Sequence, residues 1–175
     1  MSGLLLLRPD ESMLDEITAY RDAMLAANSS MDGTSALNKY EDPSQWLAHV
    51  RALENEDTCP AHLVTATLYV AKREGESRIV GMIDLRHRLN DFLAEYGGHI
   101  GYSVRPDERR KGCASRMLAL VLQEARKRGL SRVMVTCDTD NEASRRVILR
   151  NGGVFHSNAW LEDEKATISR YWIEL

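Results

Sequence analysis

The hydrophobic positions in the first half of the chain follow a helical period and then a strand period. Apolar side chains recur every three or four residues after Asp10 and after Asp42-Pro43, and an aspartate before such a run is a favoured helix N-cap. Runs rich in β-branched residues follow, separated by a polar turn. This half therefore predicts, in order, a strand at Leu4–Leu7, two helices joined by the polar loop Asn28–Lys39, and a hairpin of Leu63–Ala71 with Arg78–Leu85.

The second half of the chain is more regular. A strand over Gly98–Val104 ends at Arg105-Pro106, because proline has no N–H group for a strand ladder. An apolar stripe at helical spacing runs from Ser115 to Arg128, and Gly129 suits the left-handed end of that helix. The segment 86–96 is too polar for a continuous strand and predicts at most one helical turn. The remainder predicts a strand (Arg132–Cys137), a helix (Glu142–Arg150) and a closing hairpin (Val154–Leu161 with Thr167–Ile173).

This order of elements predicts a single α/β domain over residues 1–175. Strands that alternate with helices favour one mixed sheet with helices on its faces. A chain of 175 residues is long enough to bury a core of that kind.

Composition and charge narrow the classes of function. No stretch reaches the roughly 20 apolar residues of a membrane span, and Leu4–Leu7 is too short for a signal peptide, so we expect a cytoplasmic protein without a membrane partner. The net charge of −3 argues against a nucleic-acid partner. Three scattered cysteines, at positions 59, 113 and 137, predict reduced thiols and neither a disulfide framework nor a metal site.

Positive charge is nevertheless concentrated between one strand and the next helix. The cationic side chains there are Arg105, Arg109, Arg110, Lys111 and Arg116. A turn such as Arg109–Ser115 leaves backbone N–H groups unpaired at the positive end of the helix dipole. A pyrophosphate fits such a place if Gly112 and Ala114 stay small enough for the backbone to approach it. A solvated basic turn before an ordinary helix is the alternative interpretation.

The segment Gly98–Ser115 resembles the central motif of the GNAT superfamily of N-acetyltransferases, an Arg/Gln-x-x-Gly-x-Gly/Ala loop after a strand that ends in Val-x-Pro. Arg109, Gly112 and Ala114 meet the loop pattern, with Val104 and Pro106 in register.

A second segment supports this resemblance. Asn141-Glu142-Ala143-Ser144, followed by Asn151-Gly152, is similar to the family's Asn-x-x-Ala helix that ends in glycine. The two segments lie in the family's order and spacing within about Gly97 to Phe155, a third of the chain. The first ninety residues fit the family only in the order of their elements.

The resemblance implies a mostly antiparallel sheet with one splayed pair of parallel strands, and acetyl-CoA as co-substrate with its pantetheine between them. The loop Arg109–Ala114 and Ser115 would hold the pyrophosphate through backbone N–H groups. The implied cofactor-binding residues are Tyr102, Ser103, Val104, Arg109, Arg110, Lys111, Gly112, Cys113, Ala114, Ser115, Asn141 and Ser144.

The implied reaction is direct transfer of the acetyl group to a primary amine of a small molecule or peptide, in a ternary complex. Amines are mostly protonated at neutral pH, so a base assists the attack. Many family members carry a glutamate in a Glu-Ile-Gly-Tyr pattern where this chain has His99-Ile100-Gly101-Tyr102. An unperturbed histidine has a pKa of about 6.5, which suits a general base. His99 is therefore the predicted base, with Glu95 and Asp84 as further candidates and a purely structural histidine as the alternative.

One position departs from the family's pattern. A tyrosine about seven residues after the Asn141 position often protonates the leaving thiolate in the family, and Ile148 stands there. Tyr96 and Tyr102 are the candidate substitutes, and departure of the thiolate to water is the alternative.

The acceptor is the part of the reaction that the sequence does not identify. The stretch that contains Asp84, Arg86, His87 and Asn90 lies where the family builds its acceptor pocket, and a solvated loop is the alternative interpretation. A non-catalytic acyl-CoA-binding module and a homodimer both remain open.

Overall fold

The computed structural model describes residues 3–175, which contain seven strands and four α-helices. The strands are β1 (Leu4–Leu7), β2 (Ala66–Arg73), β3 (Ile79–Arg86), β4 (Ile100–Val104), β5 (Arg132–Asp138), β6 (Val154–Leu161) and β7 (Ala166–Glu174). The helices are α1 (Leu14–Ala26), α2 (Pro43–Ala52), α3 (Cys113–Lys127) and α4 (Glu142–Arg150). The strands form one sheet in the order β1-β2-β3-β4-β5-β7-β6, and only β4 and β5 are parallel neighbours. The predicted mixed, mostly antiparallel α/β fold is confirmed.

The observed elements differ from the predicted ones mainly at their ends, as in β2, which covers Ala66–Arg73 where Leu63–Ala71 was predicted. The helix α3 begins at Cys113, two residues before the predicted start. The polar segment before β4 contains a π-helical turn, Leu93–Gly97, which Asn90 caps by accepting a hydrogen bond from the Leu93 N–H at 2.9 Å. Leu25, although apolar, is 52% exposed, because it lies about 100° around α1 from the buried Met24.

Each face of the sheet carries its own hydrophobic core. On one face, α3 and α4 cover apolar side chains such as Ile83 and Val135. On the other face, α1 and α2 cover Leu68, Val70 and Met82. We call these the α3/α4 face and the α1/α2 face. No helix within residues 3–175 is both long and apolar enough to cross a membrane.

The parallel strands β4 and β5 meet only at their beginning. Their ladder contains one residue pair, Ile100 with Val135, and just before it the His99 N–H donates to the Met134 carbonyl at 2.7 Å. From Gly101 onward the two strands have no shared ladder within the described chain, so a gap opens toward their C-terminal ends. This agrees with the splayed pair that the resemblance implies.

Candidate active site

The loop between β4 and α3 presents a row of backbone N–H groups without an acceptor. Arg110 and Gly112 have positive φ angles of 59° and 79°, which turn the chain into the start of α3. Within residues 3–175 no atom accepts a hydrogen bond from the N–H groups of residues 110 to 115, and the first bond of α3 runs from the Arg116 N–H to the Gly112 carbonyl at 3.1 Å. These donors lie at the positive end of a helix of 15 residues. The loop therefore suits a pyrophosphate group.

The surroundings of Gly112 and Arg109 explain how the loop stays open. A Cβ atom built on Gly112 meets nothing within 4 Å, so this side of the residue faces free space. The Arg109 guanidinium folds back along the chain, where it donates to the Val104 carbonyl at 3.1 Å and to Ser29 Oγ at 2.8 Å. Arg109 thus anchors the loop, while the Arg110 and Lys111 side chains are exposed beside it.

The remaining predicted cofactor residues divide between the loop and the gap. Asn151 donates from Nδ2 to Ser115 Oγ at 3.2 Å and so joins the ends of α3 and α4. Asn141 caps α4, since its Oδ1 accepts from the Ser144 N–H at 3.1 Å. Ser103 directs its hydroxyl to Tyr20 Oη, 2.9 Å away on the α1/α2 face, so only its backbone is available to the gap.

Tyr102 spans the gap on the α3/α4 face. Its Oη lies 2.7 Å from Ser144 Oγ, so the ring reaches from β4 to the first turn of α4, which follows β5. Burial raises the pKa of Tyr102 to about 12, which keeps the phenol protonated at neutral pH. Ile148, at the family's tyrosine position, is fully buried against Gly153 in the core. The hydroxyl groups at the gap therefore come from Tyr102 and Ser144.

His99 is a buried side chain at the closed end of the gap. Its Nδ1 accepts a hydrogen bond from the Met134 N–H at 2.9 Å, which places the proton of the neutral ring on Nε2. Burial, with a smaller contribution from Arg86, lowers the pKa of His99 to about 4. Both features argue against a role as general base. The lone pair of Nδ1 already accepts the hydrogen bond from Met134, and the low pKa means that the ring does not readily take up a proton. The predicted base role stays a prediction.

This environment makes stability depend on pH. A histidine that is neutral when folded and protonated when unfolded contributes stability that is present above pH 6.5 and lost as the pH falls to about 4. The same holds for His87, whose pKa burial also lowers to about 4. We expect the free energy of unfolding to fall over this range, and His99→Gln to reduce the slope. Urea titrations at several pH values would measure the free energy of unfolding, with His62→Gln, at an exposed histidine, as control. If the free energy falls equally with pH in wild type and in His99→Gln, the expectation is contradicted.

Asp84 and Arg86 lie side by side on the α1/α2 face, next to β4. Asp84, 5% exposed, accepts from the Gly101 N–H at 2.9 Å and lies 3.4 Å from Arg86 Nη2. Arg86 also donates to the carbonyls of Gly97 and Gly98 at 2.8 and 3.2 Å. The structure thus brings a buried carboxylate to the backbone of β4 beside the gap.

Three other predicted residues do not lie beside this pair. His87 lies on the opposite face, between the hydroxyls of Thr65 and Thr67 at 3.0 and 2.9 Å. This follows from strand alternation, because neighbouring side chains point to opposite faces. Asn90 is occupied by capping the π-helical turn. Glu95 is exposed on that turn.

The loop between α1 and α2 also contributes to the site, although its sequence did not predict this. Gly33, at φ 71°, packs so closely on β4 that a Cβ atom would lie 2.2 Å from the Gly101 carbonyl oxygen. The loop therefore covers the strand beside the gap, and Ser29 holds Arg109. Only the glycine in an otherwise polar stretch could have indicated this contact.

Comparison with known proteins identifies the family. The model of the acetyltransferase (GNAT) family matches residues 30–152, which include both segments of the resemblance. The chain belongs to this family. Acetyl-CoA is accordingly its co-substrate, and the open loop before α3 fits the pyrophosphate of that molecule. A search of curated proteins finds no significant match.

Solved structures share the fold over nearly the whole chain. The microcin C7 self-immunity acetyltransferase MccE, in complex with acetyl-CoA and AMP, is 16% identical with a TM-score of 0.70, over 98% of this chain and 92% of that chain. RimL, the ribosomal L7/L12 α-N-protein acetyltransferase in complex with coenzyme A, is 18% identical with a TM-score of 0.69, over 100% and 96%. YncA from Salmonella typhimurium, with its cofactor acetyl-CoA, is 16% identical with a TM-score of 0.63, over 98% and 94%.

Proposed function

We propose that this protein transfers the acetyl group of acetyl-CoA to a primary amine of a small molecule or peptide, by direct attack in a ternary complex. The observation that carries the proposal is the row of acceptor-free N–H groups from Arg110 to Ser115, which lies at the open end of the gap between β4 and β5. The name of RimL, an α-N-protein acetyltransferase, agrees with an amine acceptor.

The donor is held in two parts. The N–H groups of the loop bind the pyrophosphate, where each hydrogen bond to a charged group contributes about 1.5–3 kcal/mol. The backbone of Tyr102, Ser103 and Val104 has no strand partner on β5 within the described chain and hydrogen-bonds the pantetheine instead. The thioester then lies toward the closed end of the gap, near Gly101.

The leaving thiolate receives a hydrogen bond from the hydroxyl pair of Tyr102 and Ser144. Tyr102 was one of the two substitutes that the sequence offered for the missing tyrosine, and its ring crosses the gap. Its phenol stays protonated, so it is available as a donor.

The amine approaches from the α1/α2 face, where Asp84 takes its proton, directly or through a water molecule. Asp84 replaces His99 as our preferred base because its carboxylate lies against β4 beside the gap and keeps lone pairs beyond its contacts with Gly101 and Arg86, whereas Nδ1 of His99 is occupied by Met134.

Two substitutions distinguish these bases. General-base catalysis contributes about 10²–10⁴ in rate, so Asp84→Asn should lower turnover by about 10² or more while coenzyme A affinity stays intact. His99→Gln should keep turnover within about threefold of wild type, because on this account its ring only holds Met134. Turnover and titration calorimetry on both variants would check this. The opposite pattern, with Asp84→Asn active and His99→Gln inactive, would restore His99 as the base.

The proposed activity is tested by incubating the protein with acetyl-CoA and a panel of amines. The panel contains amino acids, polyamines, aminoglycosides and peptides with free N-termini. Free thiol and acetylated product are measured together, since hydrolysis alone also releases thiol. An amine-dependent product supports the enzyme. Tight acetyl-CoA binding without any product would favour the non-catalytic acyl-CoA-binding module.

A further inference from the structure

A buried carboxylate lies directly beneath the loop before α3. The Glu108 side chain is 5% exposed, and cations from three parts of the chain surround it. Its Oε2 accepts from Arg73 Nη2 at 2.5 Å and Lys111 Nζ at 3.3 Å, and its Oε1 accepts from Arg78 Nη1 at 3.0 Å. The hydrogen bond from Arg73 lowers the pKa of Glu108, so the group stays ionised at neutral pH.

The position of Glu108 links this cluster to the loop. Glu108 ends the short 3-10 turn Pro106–Glu108, and Arg109 follows it. Arg73 ends β2 and Arg78 immediately precedes β3, so both strands of that hairpin are tied, beside their turn, to the residue before the loop. Glu108 and Arg109 therefore fix the chain from two sides, directly before the acceptor-free N–H groups.

The charge of Glu108 opposes the binding of an anion. A carboxylate near a pyrophosphate repels it, and burial of a charge costs several kcal/mol unless the charge is well paired. The repulsion and the cost of burial both disfavour a glutamate at this place, unless its ion pairs hold the loop in shape. The Glu108 side chain is buried, whereas the open side of Gly112 faces free space.

We infer that Glu108 is a positioning residue, which holds the loop in the conformation that aims its N–H groups at the pyrophosphate of acetyl-CoA. The inference rests on the proposed site for the pyrophosphate. Through Glu108, Arg73 and Arg78 then contribute to the binding of acetyl-CoA without touching it, although both are distant in sequence from the loop.

A neighbouring carboxylate supplies a matched control. Asp107 is exposed and pairs with Arg78 and Arg105, so Asp107→Asn makes the same change of charge one residue away. If charge alone mattered, Glu108→Gln and Asp107→Asn would both bind coenzyme A slightly more tightly. If Glu108 positions the loop, Glu108→Gln should raise the Kd for coenzyme A about tenfold, while Asp107→Asn stays within about twofold of wild type.

Titration calorimetry with coenzyme A measures both values, and thermal unfolding confirms that the variants are folded. If Glu108→Gln does not fold, Glu108→Asp keeps the charge but is one methylene shorter, and its Kd should rise severalfold because it cannot reach Arg73 and Arg78 together. A folded Glu108 variant with wild-type affinity, or an equal loss in Asp107→Asn, would overturn the inference. The variant Gly112→Ala tests the pyrophosphate site independently of Glu108. Unchanged affinity in Gly112→Ala would refute the pyrophosphate site. A loss of affinity in Gly112→Ala, without a loss in the Glu108 variants, would refute only the role of Glu108.

Discussion

Replacing Gly112 by alanine should weaken coenzyme A binding by about tenfold to a hundredfold. The added methyl group points into the free space where we place the pyrophosphate, and it displaces that group from at least one charge-assisted hydrogen bond. Titration calorimetry of the folded variant measures the loss. Because the backbone already has a positive φ at this residue, alanine also reduces stability by about 1 kcal/mol.

The matched control is Gly129→Ala at the other end of α3. Gly129 has a φ of 83° and nothing within 4 Å of a built Cβ atom, so the substitution has the same backbone cost. We expect both variants to lose similar stability and only Gly112→Ala to lose affinity. Equal affinity in the two folded variants would mean that the pyrophosphate does not lie at this loop.

Removing the phenolic hydroxyl of Tyr102 should slow acetyl transfer by about 10²–10³. This is the usual effect of losing one hydrogen-bond donor to a charge that develops in the transition state. Tyr102→Phe keeps the ring, so coenzyme A affinity should change little. Ser144→Ala should give a smaller loss, because Tyr102 still reaches the gap. Steady-state turnover with the best amine of the panel measures both effects.

Tyr96→Phe is the control, since Tyr96 was the other candidate for the same role. Tyr96 belongs to the π-helical turn, next to the exposed Phe92, and within residues 3–175 no hydroxyl group hydrogen-bonds to its phenol. We expect wild-type turnover from this variant. If Tyr96→Phe is slow and Tyr102→Phe keeps its turnover, then Tyr96 and not Tyr102 donates to the leaving thiolate.

The order of helices and strands and the turn before α3 could be predicted from the sequence because both depend on local rules. The hydrophobic periodicity indicates which segments are helices and which are strands. A glycine before an amphipathic helix is typical of a turn with a left-handed residue, and Gly112 has that conformation at the start of α3. The splayed strands were available only through the resemblance. Pairing between β4 and β5 depends on residues more than thirty positions apart, which no local pattern records.

The catalytic groups were harder to predict because their chemistry depends on contacts across the sheet. The sequence places His99 at the family's base position, but not the Met134 N–H that occupies its Nδ1. It lists Asp84 and His87 together, although their positions on β3 and just beyond its end put them on opposite faces. No sequence pattern indicates the role of Glu108, because Arg73 and Arg78 reach it from a hairpin about thirty residues earlier in the chain.

The most direct test of the account is a crystal structure of the protein with coenzyme A. We predict pyrophosphate oxygens within hydrogen-bond distance of N–H groups between Arg110 and Ser115, and pantetheine along Tyr102 to Val104 with its sulfur near the hydroxyls of Tyr102 and Ser144. Coenzyme A bound elsewhere, with these N–H groups still free of the ligand, would contradict the proposed site and the mechanism built on it.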